Sequence, residues 1–178
     1  MDNFEIETPR QLVGKEKIAE RIEELGKQIT SDYKGRDLTI VCIMKGCIPF
    51  VADLMRHIDI PFKIDTIQAT SYHGGTETSG TVIILQDSTI DIKDQYVILV
   101  DDILDTGKTM MKIIEQFRGK KPKDIKICVL LDKPSRRTEA VQADYYGFQI
   151  PNKFVVGYGL DYNEYYRNLP YIGVLGSD

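Results

Sequence analysis

Residues 97–109 read VILVDDILDTGKT. Four apolar residues predict a strand, the adjacent carboxylates Asp101 and Asp102 predict its end, and a glycine-containing turn predicts entry into a helix. At that helix N-terminus Thr106, Gly107, Lys108 and Thr109 would present backbone N–H groups and hydroxyls where the dipole favours an anion. Gly107 would let the backbone approach a phosphate closely. The GKT ending invites comparison with a Walker A loop. That loop needs a glycine five residues before the glycine of its GK pair, and Asp102 stands there. A carboxylate in that place would repel a nucleotide's phosphates. Asp101 and Asp102 are better suited to accept hydrogen bonds from the vicinal hydroxyls of a sugar.

Similar apolar runs lie on both sides. LTIVCI (38–43) is short, continuous and rich in β-branched residues, as strands covered on both faces are, KICVLLD (126–132) reads as another buried strand, and TVIILQ (81–86) as a further strand. FKIDTIQATSY (62–72) alternates and reads as a further strand; HGGTETSG (73–80) is small, polar and glycine-rich and reads as a mobile loop. Between Lys15 and Ile29 the apolar positions Ile18, Ile22, Leu25 and Ile29 recur at helical spacing. Pro49 sits where a second helix would start, and a third would follow the 106–109 turn and end near Gly119. DYYGFQI and FVVGYGL are short β segments in the tail. Strand and helix in alternation predict an α/β fold with an open, mostly parallel sheet flanked by helices. Ligands of such sheets sit beyond the carboxyl ends of the strands. Those ends carry Lys45–Gly46, Asp101–Asp102, Asp105 to Thr109 and Asp132–Lys133, which points to one shared site.

The 178 residues predict a single domain spanning 1–178. Hydrophobic content of 42% and charged content of 28% exclude disorder, collagen and coiled coil as whole-chain readings. The net charge of −4 argues against a generic nucleic-acid binder but leaves room for an anionic small ligand held by local cations and amides. Cys42, Cys47 and Cys128 form no C-x-x-C pair, and the acidic start MDNFEIETPR has no apolar signal stretch, so a cytoplasmic protein with reduced thiols is expected. No run reaches membrane-span length. His57 and His73 have no partner at zinc-ligand spacing. Lys120–Lys121 and Arg136–Arg137 read as solvated charge runs, and the tyrosines at 145–146, 158, 162 and 165–166 as packing beneath a binding tail.

The 97–109 stretch resembles the phosphoribosyl-diphosphate signature of type I phosphoribosyltransferases. The resemblance reaches further, to the hypoxanthine-guanine (6-oxopurine) members. MKGC (44–47) resembles their Leu-Lys-Gly element, SYHGGTETSG (71–80) their flexible loop, LLDKPSRR (130–137) their lysine-bearing strand end, and PNKFVVGYGLDYNEYYRNLPYIG (151–173) their purine-binding tail. Matching blocks run in family order from about residue 37 to 173. Asp101 stands where many members have Glu, and Met44 and Cys47 flank Lys45–Gly46 where Leu and a smaller residue are commoner.

That resemblance implies a type I phosphoribosyltransferase fold with a small purine-binding hood, formed by the N-terminal segment and about 145–178. It implies a purine salvage enzyme that transfers the 5-phosphoribosyl group from phosphoribosyl diphosphate to hypoxanthine or guanine, giving IMP or GMP and pyrophosphate. Asp105 would be the catalytic proton acceptor. Asp101, Asp102, Thr106, Gly107, Lys108 and Thr109 would hold ribose and 5-phosphate. Lys45, Gly46 and Arg167 would meet the diphosphate, with a cis peptide before Lys45. Lys133, Phe154, Val155 and Asp161 would meet the purine, and Ser71 and Tyr72 would close over the site. Mg²⁺ is the implied cofactor, with Asp161, Asp101 and Asp102 at the metal. A homodimer or homotetramer is implied, with no nucleic-acid or membrane partner. A phosphoribosyl-diphosphate sensor that binds RNA or DNA is the rival class; Asp105, Lys133, Phe154 and the negative net charge favour the enzyme.

Overall fold

The computed structural model describes residues 7–72 and 81–176. In chain order its elements are β1 (Arg10–Val13), α1 (Lys15–Asp32), β2 (Leu38–Met44), α2 (Ile48–Leu54), β3 (Phe62–Tyr72), β4 (Thr81–Gln86), β5 (Tyr96–Leu104), α3 (Lys108–Gly119), β6 (Asp124–Asp132), β7 (Tyr145–Gln149), β8 (Val155–Val156) and β9 (Ile172–Val174). Short 3-10 turns follow α2 and β6.

Six strands form one sheet in the order β4-β3-β2-β5-β6-β7. All neighbours are parallel except β4, which pairs antiparallel with β3 at the edge. Apolar runs on β2, β5 and β6 work because both faces are covered. Leu38, Ile40 and Cys42 of β2 and Ile98 and Val100 of β5 pack into the core beneath α1 and α2. Val41, Ile43, Val97 and Leu99 face the opposite core, which α3 closes with Met110, Ile113, Ile114 and Phe117. In α1 the expected residues Ile18, Ile22, Leu25 and Ile29 are all buried.

The chain moves outward from β2 through β3 and β4, then returns to place β5 on the other side of β2. This reversal between β2 and β5 is a topological switch point, where a crevice opens at the strand ends. Strand pairing shows how. The β2–β5 ladder stops at the pair Cys42–Val100, while β5 continues beside β6 as far as the pair Leu104–Asp132. The expectation that Asp101 and Asp102 end the strand is therefore corrected. They lie within it, on a stretch that β2 has left and β6 still holds.

A second, three-stranded antiparallel sheet, β1-β9-β8, joins the N-terminal segment to the tail. Tyr145–Gln149, expected at the start of the hood, is the outer strand of the large sheet instead. Its pairing with β6 outweighs its proximity in sequence to the tail. No helix among the described residues is long and apolar enough to cross a membrane.

Candidate active site

A cleft of about 550 Å³ opens at the β2/β5 switch point. Its floor is the end of β5, with Asp101, Asp102 and Asp105. One wall is the Thr106–Gly107 turn with Thr109; another is the turn after β2 with Lys45 and Gly46; Asp161, Glu164 and Arg167 of the tail close the third side. The structure thus gathers ten of the expected site residues around one space.

The peptide bond between Met44 and Lys45 is cis. Gly46 sits so close to Asp102 that an added Cβ would lie 1.8 Å from its Oδ2, so any larger residue would displace the Asp102 carboxylate. Gly107 takes φ +90° as the N-cap of α3, and the Gly107 carbonyl receives the Met111 N–H at 2.9 Å. Asp101 Oδ1 accepts the Asp102 N–H at 2.9 Å. Burial first, and then the adjacent Asp102 carboxylate, hold the Asp101 carboxyl well above the ordinary range. Asp102 is also raised by burial, against the opposing effects of its hydrogen bonds with Asp101 and the Ile103 N–H and of the Arg167 charge. Two desolvated carboxylates side by side form an acceptor pair that sugar hydroxyls or a cation would relieve.

Arg167 crosses the tail loop. Its Nη1 donates to the Gly159 carbonyl at 2.7 Å, and its Nη2 lies 2.8 Å from Asp161 Oδ1 and 3.3 Å from Glu164 Oε2. Asp161 Oδ2 accepts the Glu164 N–H at 2.9 Å, so both oxygens of Asp161 are engaged. Lys45 Nζ lies 2.5 Å from Glu164 Oε2. Lys45 first, and then Arg167, hold the Glu164 carboxyl below its ordinary value.

Several expected residues lie beside the cleft rather than on it. Lys108 opens α3 but is exposed. Lys133, buried at the end of β6, donates its N–H to the Leu104 carbonyl at 3.0 Å. Burial lowers the pKa of its ammonium, against the raising effect of Asp105. Phe154 is 54% exposed and meets Tyr162 edge-on at 5.6 Å between centroids. Val155 is buried in β8. Ser71 and Tyr72 end β3, while the loop at 73–80 lies outside the described residues.

The solvated-face reading holds for the exposed Arg136 and is corrected for Arg137. Arg136 Nε lies 3.2 Å from Asp105 Oδ1. Arg137 is a partly buried strut: its guanidinium donates to the carbonyls of Asp105 at 2.9 Å, Leu104 at 3.0 Å and Val141 at 2.6 Å, and to Asp132 Oδ1. The N–H groups of Thr138 and Glu139 donate to the Thr106 carbonyl at 3.0 and 3.2 Å. The segment after Arg137 therefore braces the Thr106–Gly107 turn. Lys120 is likewise engaged, with Asp87 at 2.7 Å. Among the tyrosines, Tyr145, Tyr158 and Tyr166 are buried but Tyr146, Tyr162 and Tyr165 are exposed. Tyr145 packs away from the tail, its hydroxyl donating to Asp32 of α1 at 2.8 Å. Sequence reasoning missed Glu164 and Arg137; each lies inside a block that carries the family resemblance, which was the only signal for either.

Paired carboxylates, the turn at the start of α3 and two cations from separate elements meet around one cleft. A family model for the phosphoribosyl transferase domain matches residues 10–163, and the chain belongs to that family. Within it, the chain is similar to hypoxanthine-guanine phosphoribosyltransferases. It is 50% identical to that of Streptococcus pneumoniae over 167 residues, 94% of this chain and 93% of the relative. It is 45% identical to that of Streptococcus mutans with the same coverage. Among solved structures, a hypoxanthine phosphoribosyltransferase from Staphylococcus aureus superposes with a TM-score of 0.89 at 46% identity, covering 94% of this chain and 91% of the other. A Bacillus anthracis hypoxanthine-guanine phosphoribosyltransferase gives 0.90 at 44% identity, covering 96% and 100%.

Proposed function

We infer that the chain transfers the 5-phosphoribosyl group of phosphoribosyl diphosphate to hypoxanthine or guanine, releasing pyrophosphate and forming IMP or GMP. The observation that carries this reading is the shared cleft. It sets the paired acids Asp101 and Asp102 between the turn that opens α3 and two cations from separate elements. Thr106 to Thr109 would receive the 5-phosphate at the start of α3, and the acid pair the ribose hydroxyls. Lys45, Gly46 and Arg167 would receive the diphosphate. As the glycosidic carbon gains positive charge, these groups stabilise the charge that separates onto the leaving group. The purine must lose a proton as it attacks, and the Asp105 carboxylate is the acceptor. Its pairing with Arg136 keeps a cation beside the carboxylate until then. Lys133 would donate to the 6-oxygen of the purine, Phe154 would stack on the ring, and the Val155 backbone would meet its 2-position. Ser71 and Tyr72 would close over the site.

The donor set suits Mg²⁺. Among the described residues no cluster of three or more His, Cys, Asp and Glu side chains could hold a metal alone. Mg²⁺ is commonly held by one or two carboxylates with substrate oxygens completing its shell. Asp101 and Asp102 would supply the carboxylates, and Asp161, tied to Arg167, would act through that contact. When bound, the ion neutralises charge on the diphosphate. Kinship with the relatives supports a cytoplasmic salvage enzyme, one domain throughout, working as a homodimer or homotetramer, with β1, β8 and β9 serving as the purine hood. Steady-state rates with hypoxanthine, guanine, xanthine and adenine test the reading. Turnover should be confined to 6-oxopurines, cease in excess chelator and return with Mg²⁺; an adenine preference or full activity in chelator would overturn it.

A further inference from the structure

Lys45 and Arg167, the two cations assigned to the diphosphate, come from different parts of the fold, and one carboxylate joins them. Glu164 Oε2 lies 2.5 Å from Lys45 Nζ and 3.3 Å from Arg167 Nη2. The backbone that places it there is left-handed, with φ +51° at Asn163, +69° at Glu164 and +73° at Tyr166. L-residues adopt this region at a cost, which tertiary contacts must offset. Asp161 offers a contrast in the same loop: both its oxygens are bonded to the loop's own groups and it is mostly covered. Glu164 and Lys45 are more than half exposed. Solvent, and a competing anion, therefore reach the Lys45–Glu164 pair more freely than the Asp161–Arg167 pair.

We propose that Glu164 is an intramolecular counter-anion, which occupies Lys45 and Arg167 in the free enzyme and gives them up to the incoming diphosphate. The proposal rests on the assignment of those cations to the diphosphate. Arg167 is held in place by the Gly159 carbonyl and Asp161 without Glu164, so the net effect of Glu164 is to lower affinity for the diphosphate by competing for the two cations. The same competition speeds departure of pyrophosphate after the reaction. Displacement requires only that the Glu164 side chain rotate into solvent, since its N–H stays bound to Asp161.

A carboxylate that merely stabilised the loop would have the opposite signature. Its removal would loosen Arg167 and weaken anion binding, whereas removal of a competitor strengthens it. The test is calorimetric titration of the full chain with inorganic pyrophosphate in Mg²⁺ buffer, comparing the parent with Glu164→Gln, which preserves shape and removes charge. Partly exposed ion pairs are individually weak, so the variant should bind pyrophosphate about three- to tenfold more tightly. That gap should close at high ionic strength, where exposed charges are screened. Glu164→Asp, charged but shorter by one methylene, should fall between the two. In steady state the KM for phosphoribosyl diphosphate should fall without a rise in kcat. Unchanged or weaker pyrophosphate binding in Glu164→Gln would overturn the proposal and leave the transferase reading standing. A parent chain that bound no pyrophosphate would instead bring down the transferase reading itself.

Discussion

Asp105 and Lys133 stand on neighbouring strand ends, and each can be tested alone. Asp105→Asn keeps the shape of the side chain and one acceptor oxygen but cannot take up the purine's proton. General acid–base contributions run to about 10²–10⁴-fold, and kcat should fall by that much, with a far smaller change in the KM for phosphoribosyl diphosphate. A defect confined to that KM would move Asp105 to the phosphate-binding group. Lys133 gives a prediction in pH. Burial pulls its pKa below the ordinary 10.5. Below the folded-state pKa the ammonium is charged in both states, and folding bears the full cost of desolvating it. As pH rises from that pKa towards 10.5, the unfolded chain keeps a proton that the folded chain sheds, so the cost disappears. Lys133→Met should therefore be more stable than the parent at pH 7 in thermal unfolding, with the margin narrowing as pH climbs. A margin that widened instead would show that the ammonium gains more from Asp105 than it loses by burial.

At the scale of elements, the bracing of β5 against β6 decides whether the turn at Thr106–Gly107 holds its shape. Arg137 joins the carbonyls of Leu104 and Asp105 to Val141 and to the buried carboxylate of Asp132. Removing one partner of a buried ion pair typically costs about 3–5 kcal/mol. Arg137→Met should lose that much in urea unfolding and should also raise the KM for phosphoribosyl diphosphate, because the Thr106 carbonyl depends on the same segment. A loss below about 0.5 kcal/mol, the usual range of a surface substitution, would return Arg137 to the solvated face. Beyond its place in a block that carries the resemblance, this strut had no sequence signal, since three of its four acceptors are backbone carbonyls whose proximity only the fold creates. The same reason hid the end of β5. The acids at 101–102 look like a strand end, but the ladder to β6, set by long-range pairing, carries on past them. By contrast β2, β5 and β6 were legible as strands because burial on both faces leaves an unbroken apolar run, and α1 because its buried face repeats with the helix. In the small sheet β8 was legible within FVVGYGL, whereas β1 and β9, of four and three residues, are too short to imprint a pattern. Within the site, the β5 turn was legible from local chemistry. The tail residues were legible only through the resemblance, and Glu164 did not stand out from its loop.

Across the whole molecule the site exists only where the tail meets the central sheet, and two backbones make that meeting. Gly159 exchanges contacts with Arg167, donating its N–H to the Arg167 carbonyl at 3.0 Å and accepting from Nη1 at 2.7 Å. Its other side lies against the turn after β2: with φ +100°, an added Cβ would be 1.9 Å from the Gly46 carbonyl oxygen. Gly46 in turn lies against Asp102, so tail, turn and floor are stacked in direct succession. Gly159→Ala must then push the tail away from the turn, moving Arg167 off the cleft. Misplacement by about 1 Å can cost on the order of 10²-fold in rate, and kcat/KM for phosphoribosyl diphosphate should drop by about that factor. Backbone strain alone would lower stability by about 1–3 kcal/mol. Gly35→Ala separates the two effects. Gly35 has φ +73° with nothing within 4 Å of an added Cβ, so it should incur comparable strain while kcat/KM stays at the parent value. Equal activity losses in the two variants would mean that strain, and not the docking of the tail on the β2 turn, sets the rate.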